Sequence, residues 1–446
     1  MIRTMINSNF TDVNVLFLFL ILWMSGCEKN TSAEVDTDPP QETEFEYDIL
    51  QLGEIPIGLW VTPPPSFQNH EEYRNIKESG INFINGFMFH ETNYNAINKV
   101  LNLCQDNDLK YFTSKAIVHE NIVKYSNKPE KNLLEKFTRE ILPYADHPAF
   151  AGELLMDEPG KPLFQSISAF TKAFEEQYPS KLAHVNLFPS YATGGIQTAN
   201  YEDYINSWIN TQNPKHISYD SYPLLTDGSI ISDYFYNLDL IRTKTKFKRI
   251  PFWTFIQTLS IAGTPGVPDK REPSEADIRW QVWSNLAFGA KGIQYFCYWT
   301  PGSGTEQFGD ALIDKEGNKT IRYNYVKNLN SDINTIGRIL LGCDAEGVIL
   351  TGSSAYKMYD PLYEFGDIES ISGNEGIVGC FTSEEGERMV LVTTLTPTKG
   401  TKIAMEVKSN VSSVKKTINN MTEEINVYDR KLTLEVDPGE AVLIEF

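Results

Sequence analysis

The sequence predicts an α/β chain, a (β/α)8 TIM barrel followed by a C-terminal antiparallel β-sandwich. Three observations carry this expectation. From residue 55 onward, eight short apolar runs alternate with eight amphipathic stretches of helical length, the pattern of a parallel sheet with crossover helices. The first run is followed by "TPPPS", where a doubly wound sheet would usually carry a Gly-rich phosphate loop. The last hundred residues turn to short apolar runs broken by Gly, Asn, Asp and Lys, at the spacing of antiparallel strands.

The expected barrel strands are 57–61, 82–88, 110–117, 149–156, 182–188, 216–220, 250–257 and 291–299, each an apolar or β-branched run of strand length. Helices are expected near 70–79, 93–107, 130–145, 163–177, 201–213, 231–246, 274–288 and 322–340, completing eight β/α units. The sandwich runs are "GVILTG", "GIVGCFTS", "RMVLVTTL", "KIAMEV", "EINVYD", "LTLEV" and "AVLIEF". The expected boundaries are 1–27 for a signal segment, 28–52 for a tether, 53–342 for the barrel and 343–446 for the sandwich.

The signal segment begins with Arg3, continues through "VNVLFLFLILWM", and ends in Ser25, Gly26 and Cys27. That apolar run is short for a membrane span, and small residues before a Cys resemble a bacterial lipoprotein signal in which Cys27 becomes the lipidated N-terminus. Glu28 to Asp48 then carries eight acids against one Lys and cannot build a core, so it reads as a tether. An acidic stretch after the Cys also resembles the surface-export signals of Bacteroidetes lipoproteins, which implies an envelope protein held at the outer membrane by lipid. A solvated spacer explains the same composition.

Composition narrows the partners. With 446 residues and a formal net charge of −20, the chain lacks the clustered cations that nucleic-acid binding requires. Twenty-two Tyr and seven Trp supply rings able to stack on sugars, although most aromatic residues serve a core. Beyond Cys27 the cysteines are Cys104, Cys297, Cys343 and Cys380, with no CxxC pair and no adjacent His cluster, so neither a zinc site nor any other cofactor is expected. Cys343 and Cys380 are placed to pair only if the second domain brings them together.

Chemistry concentrates in "LLMDEPG", residues 154–160. An apolar strand ends on Asp157 and Glu158, and Pro159 with Gly160 forbids its continuation. In a barrel this is the C-terminal end of strand four, where barrel enzymes gather their catalytic groups. Two adjacent acids there cost repulsion and desolvation, which favours keeping one protonated as a proton donor. An exposed loop of solvated acids is the plainer alternative.

The stretches "HPAFAGELLMDEPG", "SYDSYPL", "PFWTFIQT" and "RWQVWSNLAFGAKGIQYFCYWTPG" together resemble the barrels of bacterial glycoside hydrolases of clan A, family 42-like in flavour, over about residues 55–340. The resemblance implies that Glu158 is the general acid/base. The clan usually has Asn before it, and here Asp157 stands in that place. Its nucleophile is a Glu at the end of strand seven, where this chain offers Gln257, an amide that cannot form a glycosyl ester.

Three readings therefore compete over the second carboxylate. Asp220, in "ISYDSYP" at the end of strand six, is preferred as partner to Glu158; its alternative is to orient Tyr222 or cap the following turn. Glu272, Glu275 or Glu306, on loops after strands seven and eight, could swing in. Otherwise there is no second carboxylate, and the protein is a surface glycan-binding lipoprotein on a degenerate barrel. Candidate binding residues are Asp157, Asn186 at the end of strand five, Tyr222, Gln257 as a hydrogen-bonding group, and Tyr298 with Trp299 as a stacking floor. Trp60 on strand one is a similar stacking candidate that reads more readily as core, Lys115 is a strand-three residue facing a charged sugar or Asp157, and His90 and His119 carry no catalytic assignment. The expected activity is hydrolysis of an O-glycosyl bond in a poly- or oligosaccharide.

Overall fold

The computed structural model describes residues 47–86, 93–302, 304–352 and 356–446. The expected signal segment, Cys27, most of the tether and His90 lie outside these residues. The described residues belong to one compact unit.

Eight parallel strands close into a barrel: β1 Ile57–Leu59, β2 Phe83–Asn85, β3 Lys110–Thr113, β4 Phe150–Asp157, β5 Leu182–Leu187, β6 Ile217–Tyr219, β7 Phe252–Gln257 and β8 Gly292–Phe296. Each strand pairs with the next in sequence, and β8 returns to β1 through Gly58 opposite Gln294. The eight expected helices all form, because their apolar stripes cover the outside of the barrel. Strand three is shorter than expected. It stops at Thr113, and a further helix, Ala116–Asn127, starts where the expected strand ended in "AI". Short apolar runs do not separate the two periods, and here helical packing against the 164–177 helix decides.

β4 is the longest barrel strand and it is bulged. Leu154 pairs with His184 and Met156 with Val185, so Leu155 is the extra residue, and Asp157 comes to lie opposite Asn186. Gly152 permits a close approach at the same place, since a Cβ there would sit 1.8 Å from the Leu182 carbonyl oxygen.

Beyond the helix Ile321–Leu341, nine strands form a six-stranded and a three-stranded antiparallel sheet. Two of these strands, Ile368–Gly373 and Ser413–Ile418, fall outside the expected set; polar residues such as Glu369, Ser370, Ser372, Lys415, Lys416 and Thr417 interrupt their apolar positions and gave little apolar signal. The six-stranded sheet shows the period of two. Ile377, Phe381, Met389, Leu391 and Leu443 join the barrel core, while Val378, Cys380, Val390, Val392 and Val442 pack toward the smaller sheet. Gly379 makes the barrel contact close, because a Cβ there would meet the Ala287 carbonyl oxygen at 2.1 Å. Arg279 spans the join, reaching Asp332 at 2.9 Å and Glu440 at 2.6 Å. Cys343 and Cys380 are both free, buried thiols.

Candidate active site

At the C-terminal ends of β4, β5 and β6, four side chains meet. The Asn186 amide donates to Asp157 Oδ1 at 3.2 Å and to Asp220 Oδ1 at 3.0 Å. Its own carbonyl oxygen accepts from Ser218 Oγ at 3.0 Å, which fixes the amide orientation. Ser218 in turn accepts from Gln294 at 2.8 Å, and Gln294 accepts from Asn85 at 2.8 Å. A polar chain therefore crosses the barrel interior from β2 through β8 and β6 to the acids, and each member is oriented by the one behind it.

Glu158 follows Asp157 with φ +48°, in the left-handed region that non-glycine residues seldom occupy. Its N–H donates to the Asn186 carbonyl at 2.8 Å, and Tyr204 Oη donates to the Pro159 carbonyl at 2.8 Å, so the turn is pinned on both sides. Backbone strain held this firmly is what functional sites use to aim a side chain. Pro159 stops the strand, and this left-handed turn sends the Glu158 carboxyl into the mouth, beside Asp220.

Electrostatics separate the three acids. Burial first, then the charges of Asp220 and Asp157 and a hydrogen bond to Asp220, hold the Glu158 carboxyl far above the ordinary carboxylate range. Asp220 is raised by burial and by Asp157, and is drawn back by hydrogen bonds from Asn186 and Glu158. Asp157 is raised by burial and restrained by Asn186. The arrangement is a carboxyl pair that shares a proton, with Glu158 as the protonated donor and Asp220 as acceptor.

The acids open into a cavity of about 350 Å³, whose lining lies between Trp60 and Phe308. Tyr222 and Phe296 face each other there with centroids 5.1 Å apart, and Trp60 meets Phe255 edge-on at 5.2 Å. Trp60 is thus a wall of the cavity as well as core. Glu306 also lines it, on the loop after β8, with its carboxylate accepting from Thr264 at 2.6 Å and close enough to add to the rise of Glu158. A larger cleft of about 750 Å³ lies near the start of β7, beside Arg249 and the Glu384–Glu387 turn. Its lining includes no C-terminal end of a barrel strand and gathers no acid pair of this kind, so the strand-end cavity is the candidate site.

Several expected site residues stand elsewhere. Gln257 is fully buried and spent on the backbone. It accepts from the Leu224 N–H at 3.2 Å and donates to the Leu259 carbonyl at 3.1 Å and the Arg271 carbonyl at 2.7 Å, bracing the loops after β6 and β7 outside the cavity lining. Tyr298 is buried with its hydroxyl on Glu72 at 2.7 Å, and Trp299 is buried against Phe67 with centroids 4.6 Å apart. Neither forms a stacking floor, because the chain after β8 turns both rings into the packing around the first helix. Lys115 precedes the Ala116–Asn127 helix and donates to the Glu140 carbonyl at 3.2 Å, away from Asp157. Glu272 pairs with Arg322, and Glu275 opens the helix Glu275–Ala287; neither lines the cavity. Sequence reasoning missed Tyr191, Lys270 and Phe308 as lining residues, since nothing in a loop sequence says which way it folds back.

Residues 167–336 match the family model Glyco_hydro_42, described as beta-galactosidase. A catalytic mutant of a GH42 beta-galactosidase from G. stearothermophilus superposes with a TM-score of 0.64 at 10% identity, covering 89% of this chain and 99% of that one. The beta-galactosidases of Rahnella sp. R3 and the psychrophilic Marinomonas ef1 give 0.50 and 0.49 at 15% and 11% identity, with 67% and 65% of this chain covered. This chain spans only 58% and 62% of their lengths. No curated protein matches it. At 10% identity the superposition on the G. stearothermophilus structure speaks to the fold, a parallel barrel with antiparallel sheets behind it. With the family match inside that barrel, the chain is similar to the glycoside hydrolases of clan A, with a family 42-like barrel, as its strand-end motifs implied.

Proposed function

We propose that the protein is a glycosidase that hydrolyses an O-glycosyl bond of a carbohydrate, with Glu158 as general acid/base. One observation carries this reading: the strand-four acid is held protonated by burial and by neighbouring carboxylates while facing an aromatic-lined cavity. A general acid must keep its proton at working pH until the leaving oxygen takes it. On this reading Glu158 gives its proton to the glycosidic oxygen as the C1–O bond breaks and its electron pair passes to that oxygen. Water then adds to C1, and its proton returns to a carboxylate.

Asp220 is proposed as the second carboxylate. In the free site it keeps Glu158 protonated; when a sugar parts the pair, it is left ionised and supports the oxocarbenium-like centre. Glu306 is the competitor, because it lines the same cavity from the opposite loop. The β-galactosidase names of the matching family and structures suggest a β-galactoside as the first substrate to try. Activity on aryl glycosides, measured for Glu158→Gln, Asp220→Asn and Glu306→Gln, tests the assignment. Loss in Glu158→Gln with retention in Asp220→Asn would pass the second role to Glu306.

The alternative of a glycan-binding protein without turnover has a specific support, the amide Gln257 at the end of β7 where the clan carries its nucleophile. Sugar binding by the wild type with no turnover on any aryl glycoside would establish it. The proposed setting is the cell envelope, with the chain lipid-anchored through Cys27, a reading supported by the small residues before Cys27 and the acidic stretch after it. Incorporation of labelled palmitate that is lost in Cys27→Ala tests this.

A further inference from the structure

Lys270 is the odd residue of the cavity. It sits on the loop after β7, is 3% exposed, and lines the cavity with its ammonium over the Tyr191 ring at 5.1 Å. Among the described residues no hydrogen-bond acceptor reaches its Nζ. Its backbone is fixed: the Lys270 N–H donates to the Ile261 carbonyl at 2.7 Å, and the Ile261 N–H donates back at 3.1 Å. The negative charges acting on it are Asp233 and Asp269, and no ion pair within 4.0 Å joins it to either among the described residues. Asp233 is occupied by Ser190 Oγ at 2.6 Å, and Asp269 accepts from the Gly263 N–H at 3.0 Å.

A buried ammonium with no acceptor is costly, and a neutral glycoside gives it little to do. Lys270 lines the same cavity as Asp157, Glu158 and Asp220, and the negative charges that act on it are those of Asp233 and Asp269. We propose that Lys270 selects a sugar carrying a negatively charged substituent, a uronate carboxylate or a sulfate ester, which accepts from Nζ while the glycosidic oxygen faces Glu158. The inference rests on the glycosidase reading and adds the substrate class to it. Burial also pulls the Lys270 ammonium down to about 8, the expected behaviour of a cation awaiting its counter-charge.

The test uses the turnover-blocked Glu158→Gln protein in calorimetry, with methyl β-galactoside, methyl galacturonoside and methyl galactoside 6-sulfate, and the gluco counterparts of all three. At least one anionic probe should bind about tenfold or more tighter than its neutral parent. The arm that does so distinguishes carboxylate from sulfate. Adding Lys270→Met should bring that ratio close to one, and Lys270→Arg should preserve it, which separates loss of charge from loss of fold. Neutral probes binding as tightly as anionic ones would overturn this inference and leave the glycosidase reading standing. Absence of binding by every probe, with no aryl glycoside turned over by the wild type, would overturn both.

Discussion

Replacing Glu158 by Gln should make the protein more stable at neutral pH and change it little near pH 4.5. The native site keeps this carboxyl protonated far above its ordinary value of 4.5, through burial and then through Asp220 and Asp157. In the unfolded chain the same group is ionised at pH 7. The folded state therefore binds more protons than the unfolded one, and stability falls as pH climbs from the unfolded value toward the folded one. Each tenfold step in proton concentration is worth about 1.4 kcal/mol, so over the interval to pH 7 the native protein gives up about 3 kcal/mol. Partial exposure of the side chain lowers the expected gain to about 2 kcal/mol. Gln avoids this cost because its amide donates to Asp220 without drawing a proton from solvent. Urea unfolding of wild type and variant at pH 4.5 and 7 measures it. A variant equally stable relative to wild type at both pH values, or less stable at pH 7, would refute the claim that Glu158 is held protonated.

Asn186→Leu removes hydrogen bonds that lower both Asp157 and Asp220, so both should rise further, and the acidic limb of the kcat/KM profile should move to higher pH by about one unit. Gln257→Glu should not create a nucleophile, because the side chain faces the Leu259 and Arg271 carbonyls; two lost donors should cost about 2–4 kcal/mol in chemical denaturation. Trp299→Ala should lower stability by about 3 kcal/mol or more with KM little changed, since the ring packs on Phe67, whereas Tyr222→Ala should raise KM for the glycoside. Arg279→Ala should loosen the sheets from the barrel at a cost of about 3 kcal/mol, seen as separation of one unfolding transition into two.

The strand-four stop illustrates how far local sequence reaches. The apolar run and the Asp-Glu-Pro-Gly ending set the strand, its terminus and the candidate acid, because chain stiffness at Pro and burial of a run are local properties. The barrel order followed from eight repeated units for the same reason. The helix at Ala116–Asn127 was not legible, since a short apolar run serves either period until its neighbours choose. The two extra sandwich strands were hidden by their polar faces.

What the sequence by itself determined is the eight β/α units of the barrel, their parallel order, and the placement of Glu158, Asp220 and Asn186 at neighbouring strand ends. Only the tertiary structure decided what those side chains do to one another. The bulge at Leu155 aligns Asp157 with Asn186, the proton shared by Glu158 and Asp220 needs their mutual burial, and the fate of Gln257, Tyr298 and Trp299 depends on how loops fold back. A loop's direction is set by contacts distant in sequence, so the cavity wall, Lys270 included, existed nowhere in the local pattern.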